Sequence, residues 1–334
     1  MKENKRELVS TVLAGGKGDR VPVAFWWHFI GGSDLIRGYQ NYETVQKVIR
    51  AHQTMFDTWE PDFMKIMTDG FFAHPSLVES SVKTVEDLSK VRPITKEHPW
   101  IKRQVELAKA VSEYAGGEIL TFFNVFSPLQ ALRLNMKYLN VPQDSFSDLM
   151  LQYPEKIEKI TETIASDYKL LFDELKAETR IDGVYYSVQN IQDERATEDF
   201  HKEYVFPVEL DVLGEIHEHW DHVILHICGY DHFKNKLGYY TGHKASAYNW
   251  AVHTDGVSLA QGKRLFNAPV IGGFDNNRGT LIDEGSREEL VSYTQGLIQE
   301  TGCEGLVIGA DCTIPSDMDF SRINVIKEAA KLEP

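Results

Sequence analysis

Cysteine is scarce in this chain of 334 residues: Cys228, Cys303 and Cys312 are the complete set. Three thiols cannot frame a disulfide-stapled fold and leave one over, which points to a reducing compartment and a cytoplasmic protein. Basic charge is also in deficit, with 35 Lys and Arg against 50 Asp and Glu and a formal net charge of −15. A nucleic-acid surface needs clustered positive charge, and no cluster stands out. No apolar run approaches the ~20 residues of a membrane span. The opening stretch mimics a secretion signal, but Glu3, Glu7 and the Ser and Thr inside its short apolar run read instead as an amphipathic helix. Linkers and low-complexity tracts are missing too, so the expectation is one domain over 1–334.

What recurs is a short apolar, β-branched or aromatic run, then a polar or Gly turn, then helical spacing of apolar residues. The runs are Val21–Trp26, Asp62–Met67, Glu118–Phe123, Gly183–Val188, His222–Ile227, Lys244–Trp250, Pro269–Phe274 and Gly305–Ala310. Helical spacing covers Trp100–Tyr114, Pro154–Lys176, Pro207–His217, Val257–Phe266, Ser286–Glu300 and Phe320–Lys331. Eight strands alternating with helices predict an α/β fold, a single (β/α)8 TIM barrel. An open dinucleotide-binding sheet would want its Gly-rich turn after an early strand, and GGKG at 15–18 precedes the first. Residues 70–99 and 124–153 exceed ordinary loop lengths and read as βα inserts at the C-terminal face, where barrels build lids and sites.

The polar residues at strand ends are therefore the candidates for chemistry. His226 and Cys228, two apart on the fifth run, point to the same side, and Cys312 follows the eighth at the same rim. Two thiols and an imidazole form a soft set suited to Zn²⁺, although a lone His-x-Cys is often simply core. Cys303, before the last run, reads as structural. His28, Asp69, Asn124, Gln189, Asn190, Asp255 and Asp275 end other runs. Singly each fits a cap or turn; together they describe a polar cup ringed by aromatics such as Trp26, Trp27, Phe72 and Phe126.

The segments RVPVAFWWH (20–28), PDFMKIMTD (61–69), LHICG (225–229), IGGFD (271–275) and GADCTIP (309–315), in this order, resemble the uroporphyrinogen decarboxylase superfamily. The resemblance spans nearly the whole chain and implies one (β/α)8 barrel. In its decarboxylases an Asp after the second strand orients the tetrapyrrole, and Asp69 matches it. Their N-terminal arginines engage substrate carboxylates; here Arg20 begins the motif, but Trp27 and Gly31 stand where the next two belong. A buried polycarboxylate without cationic partners is prohibitively costly. The other branch, the methylcobalamin:coenzyme M methyltransferases, carries zinc ligands that His226, Cys228 and Cys312 match in type and order. That branch implies a zinc-dependent methyltransferase acting between a methylcorrinoid, free or on a corrinoid protein, and a small thiol. Trp27, His28, Asn124, Gln189 and Asp275 would then line the pocket. Asp255 would be a fourth metal ligand or, equally well, a helix N-cap. A decarboxylase using Asp69, and a non-catalytic tetrapyrrole-binding protein, are the alternatives.

Overall fold

The protein was analysed as a computed structural model that describes residues 3–229 and 233–331. Seven of the eight expected runs are strands: β1 (Phe63–Ile66), β2 (Leu120–Phe126), β3 (Gly183–Val188), β4 (His222–Ile227), β5 (Ala247–Trp250), β6 (Val270–Phe274) and β7 (Leu306–Ala310). They form one sheet in sequence order, every neighbouring pair parallel. Parallel neighbours need crossovers, and helices supply them at Pro99–Tyr114, Pro154–Glu178, Phe206–His219, Leu259–Phe266 and Arg287–Thr301.

The run at 21–26 departs from expectation: it is extended but carries only an isolated bridge, Val23 to Ile308. Its donors explain why. Pro22 has no N–H, and Val23 donates to the Asp62 carboxylate at 2.7 Å instead of to a neighbouring carbonyl. It nevertheless spans the two sheet edges. Ala24 N–H donates to Ile308 O, Ile308 N–H to Pro22 O (both 2.9 Å), and Asp62 N–H to Val23 O at 3.4 Å. The fold is TIM-barrel-like, with seven regular strands and one side-chain-clamped closing segment.

Alternation along the strands sorts two cores. Phe63, Met67, Leu120, Phe122, Tyr185, Ile224, Ala247, Ile271 and Val307 meet Ala24 and Trp26 inside the ring. The complementary residues pack outward against the helices. The expected N-terminal helix is present at Lys5–Leu13, started by Asn4, whose side chain accepts from Glu7 N–H. It plugs the inner core with Val9, Val12 and Leu13, and Arg6 bonds Ile119 O at 2.9 Å and Asp182 at 2.5 Å, ahead of β2 and β3.

The first long segment between β1 and the next crossover helix contains Pro75–Glu79, fastened where His74 meets Asp167 of the 154–178 helix at 3.0 Å, both buried. The second holds helices Pro128–Tyr138 and Gln143–Gln152. The helix Tyr42–Trp59 was not anticipated, although Asn41 caps it and Val45, Val48, Ile49, His52 and Met55 repeat at helical spacing. No helix among the described residues is long and apolar enough to cross a membrane.

Arg20 closes on Asp62 through two 2.6 Å contacts, with the carboxylate fully buried. Arg20 also meets Glu3, at 2.7 and 2.8 Å, so removing Asp62 leaves the guanidinium one partner but orphans the buried Val23 N–H. Asp62→Ala is therefore expected to lose about 1–3 kcal/mol of stability. Urea unfolding measures this, and a loss under about 1 kcal/mol would show that the clamp does not hold the barrel closed.

Candidate metal centre

His226 lies on β4, Cys228 extends that strand's ladder by donating its N–H to Val188 O at 2.8 Å, and Cys312 follows β7. The strands are not neighbours, yet the twist of the ring brings the three donor atoms within 4.8 Å of one another. Cys312 Sγ stands 3.7 Å from His226 Nε2. The other ring nitrogen, Nδ1, lies 2.5 Å from Asn249 Oδ1 on β5.

Asn249 fixes the histidine's protonation. Its amide donates to Ile271 O at 2.8 Å and, across β6, to Ala310 O at 3.1 Å. Gly272 makes room for that reach: a Cβ there would crowd Asn249 Nδ2 at 3.3 Å, and its φ of +142° is one that side chains resist. With both donors used, Oδ1 can only accept, and it takes the Tyr185 hydroxyl at 2.7 Å as well as His226. His226 Nδ1 must carry hydrogen, so the Nε2 lone pair faces the cysteines. This is how metal-binding imidazoles are commonly held, with the second nitrogen donating to a neighbouring acceptor.

The thiols are electrostatically unequal. Cys312 is held well below the usual thiol range chiefly by the hydrogen bond from Cys228, against the opposing effect of burial, with the Lys65 ammonium adding to it. Cys228, sharing that proton and buried, is pushed up. Two thiols and an imidazole converging in one pocket are a fitting donor set for a soft divalent metal.

The remaining candidates divide. Asp69, buried, meets His28 Nδ1 at 2.9 Å and accepts from Phe29 N–H at 2.6 Å. His28 Nε2 reaches Thr313 Oγ1, next to Cys312, at 3.5 Å. Asn124 bonds Thr68 at 3.0 Å and Ser187 at 3.4 Å, lining the same interior, while Gln189 donates to the Cys228 carbonyl at 3.0 Å. Three candidates make other contacts. Trp27 stacks on Phe320 with ring centres 4.1 Å apart, in the outer core. Asp275 bonds Asn277 of its own turn at 2.7 Å. Asp255 is outside the three-residue donor group, receiving Asn235 N–H at 2.8 Å, and burial raises its carboxyl to about 6. Nor is it an N-cap: Ser258 caps the 259–266 helix in a capping box with Gln261, and Asp255 ends the short helix Val252–Asp255. Cys303 packs at the edge of the outer core, away from the site.

Four site residues escaped sequence reasoning: Lys65, Tyr138, Tyr185 and Asn249. Burial, with the negative charge of Asp69 and the cysteines adding to it, raises Tyr138, at the end of the 128–138 helix, to about 12. The best available signals were the solitary charge of Lys65 and the amide of Asn249, each inside an apolar run.

No protein-family model matches the chain, and no curated protein matches it. Solved structures do. A methyltransferase from Methanosarcina mazei superposes over 98% of both chains with a TM-score of 0.73 at 12% identity. A B12-independent methionine synthase from Shewanella sp. W3-18-1, solved with selenomethionine, matches over 94% of both with a TM-score of 0.54 at 14% identity. At these identities the likeness establishes the shared fold.

Asn249→Ala should cut affinity for a divalent metal about 10–100-fold, because it releases the imidazole without touching a ligand. Chelator competition reads this. Cys228→Ser and Cys312→Ser should each lower metal content, and Cys303→Ser should not; equal loss from all three would refute the site as drawn.

Proposed function

We propose that this chain is a zinc-dependent methyltransferase that moves a methyl group from a methylcorrinoid, free or carried on a partner protein, to a small thiol. The carrying observation is the convergence of His226, Cys228 and Cys312, with the His226 Nε2 lone pair turned toward the cysteines. The fold shared with structures named as methyltransferase and methionine synthase supports it, as does the motif order resembling the methylcobalamin:coenzyme M branch.

Zinc held by these residues supplies one chemistry: it lowers the pKa of a coordinated thiol, which free in solution (pKa near 8.5) is only roughly 3% thiolate at pH 7. The chain does the rest. Cys228 and Cys312 as thiolates, with neutral His226, cancel the charge of a divalent ion, so the substrate sulfur stays electron-rich. His28, one-third exposed and oriented by Asp69, stands beside Thr313 where a departing proton can be taken up. Phe72, buried against both His28 (5.4 Å) and Phe126 (4.6 Å), would give a flat macrocycle an apolar neighbour beside His28. The sulfur forms the S–CH₃ bond as the donor's Co–C bond breaks, leaving its electron pair on cobalt.

Adding a cognate thiol to the zinc-loaded protein should release about one proton per site and add a Zn–S bond visible by X-ray absorption. Methylcobalamin should then lose its methyl group to that thiol. Zinc that never accepts a thiol would reduce the site to a structural clip and end the transferase reading.

Asp69 has its own wall as partner, and neither Trp27 nor Gly31 can neutralise a carboxylate. Uroporphyrinogen should accordingly pass through unchanged; coproporphyrinogen formed at ordinary turnover would promote the decarboxylase alternative.

A further inference from the structure

Lys65 is the one cation of β1 and it points inward, between Phe63 and Met67, which belong to the inner core. The residue is 5% exposed. Its ammonium lies 3.9 Å from the centre of the Tyr185 ring and 5.2 Å from that of Trp26. Among the described residues it makes no hydrogen bond or ion pair, whereas Arg20 is matched by Asp62 and Glu3. Two aromatic faces soften the loss of water but do not cancel a unit charge. Burial pulls the lysine down to about 8, against the opposing pull of Cys312, Cys228 and Asp69.

Its position relates it to the metal site. The ring carrying the ammonium is that of Tyr185, whose hydroxyl holds Asn249 Oδ1 and whose face lies 5.4 Å from the His226 ring centre. The lysine is thus one aromatic ring removed from the ligands. A divalent ion with two thiolates and a neutral imidazole sums to zero, and an incoming thiolate makes the centre −1. In the middle of a barrel that charge would be severe without an opposite one nearby.

We propose that Lys65 is the standing counter-charge for the anionic substrate sulfur: a positioning residue that raises the site's affinity for thiolates over neutral ligands. The inference rests on the reading of the site as a thiol-binding metal centre. It accounts for a lysine kept without a partner, because the partner is the one that arrives.

The test uses the cobalt-substituted protein and two probes, uncharged 2-mercaptoethanol and neutral imidazole, each followed by the cobalt absorption bands. Lys65→Met and Lys65→Leu keep an apolar side chain in the space, and both are compared with the parent at saturating cobalt, so that a change in metal affinity through Cys312 does not enter the reading. Each should need about tenfold more 2-mercaptoethanol, or beyond, to fill the open position, since only the thiolate adds charge. Imidazole binding should stay within about twofold of the parent, because a neutral ligand has no use for the lysine. Unchanged thiol affinity overturns the proposal, and so does parallel weakening of both probes, which would mark a structural residue. A parent that accepts neither probe instead refutes the open position itself, separating failure of the functional reading from failure of the lysine's role.

Discussion

The site depends on the orientation of one carboxamide. Asn249 gives both hydrogens to carbonyls, Ile271 O on β6's line and Ala310 O at the end of β7, so its oxygen has to accept. That constraint decides which nitrogen of His226 carries the proton and which faces the cysteines. It also recruits Tyr185, and through that ring Lys65. A hydrophobic residue at 249 could fill the same space, but it would leave His226 free to choose its tautomer and to turn.

Precision of this kind needs a rigid frame, and the frame is parallel strands buried on both faces. Ligands on β4 and just past β7 keep their separation because β5 and β6 lie between them in register. Closure is less regular. Where Pro22 withholds a donor and Val23 turns its own to a carboxylate, the ladder thins to a few backbone hydrogen bonds and the Arg20–Asp62 pair reinforces it. A charged clamp there supplements what backbone hydrogen bonds do alone elsewhere around the ring.

Much of this was legible in advance. Seven of the runs form strands within a few residues of their expected limits, because strands covered on both faces read as unbroken apolar segments. The convergence of three soft donors was legible because His226 and Cys228, two apart on a strand, share a face, and Cys312 ends another run at the same rim. Residues 21–26 misled because they have strand composition, while the donor count that undoes the strand depends on a carboxylate some forty residues away. Trp27 looked like pocket lining by its neighbours in sequence, but it follows inward-facing Trp26 and so alternates outward onto Phe320. Asn249 and Lys65 were hidden for a related reason: their roles lie in contacts across the ring, which no local pattern encodes.

The spacing of the ligands along the chain has a consequence for biogenesis. His226 and Cys312 are 86 residues apart in sequence, and they meet only when β5, β6 and β7 have all docked. An ion held by all three ligands joins distant parts of the chain, and stabilises the folded form by mass action because the unfolded chain has no such cluster to offer. Nascent chains that end before β7 would carry two ligands and bind loosely. Occupancy of the centre by such an ion would therefore come late in folding and mark a barrel that has finished assembling.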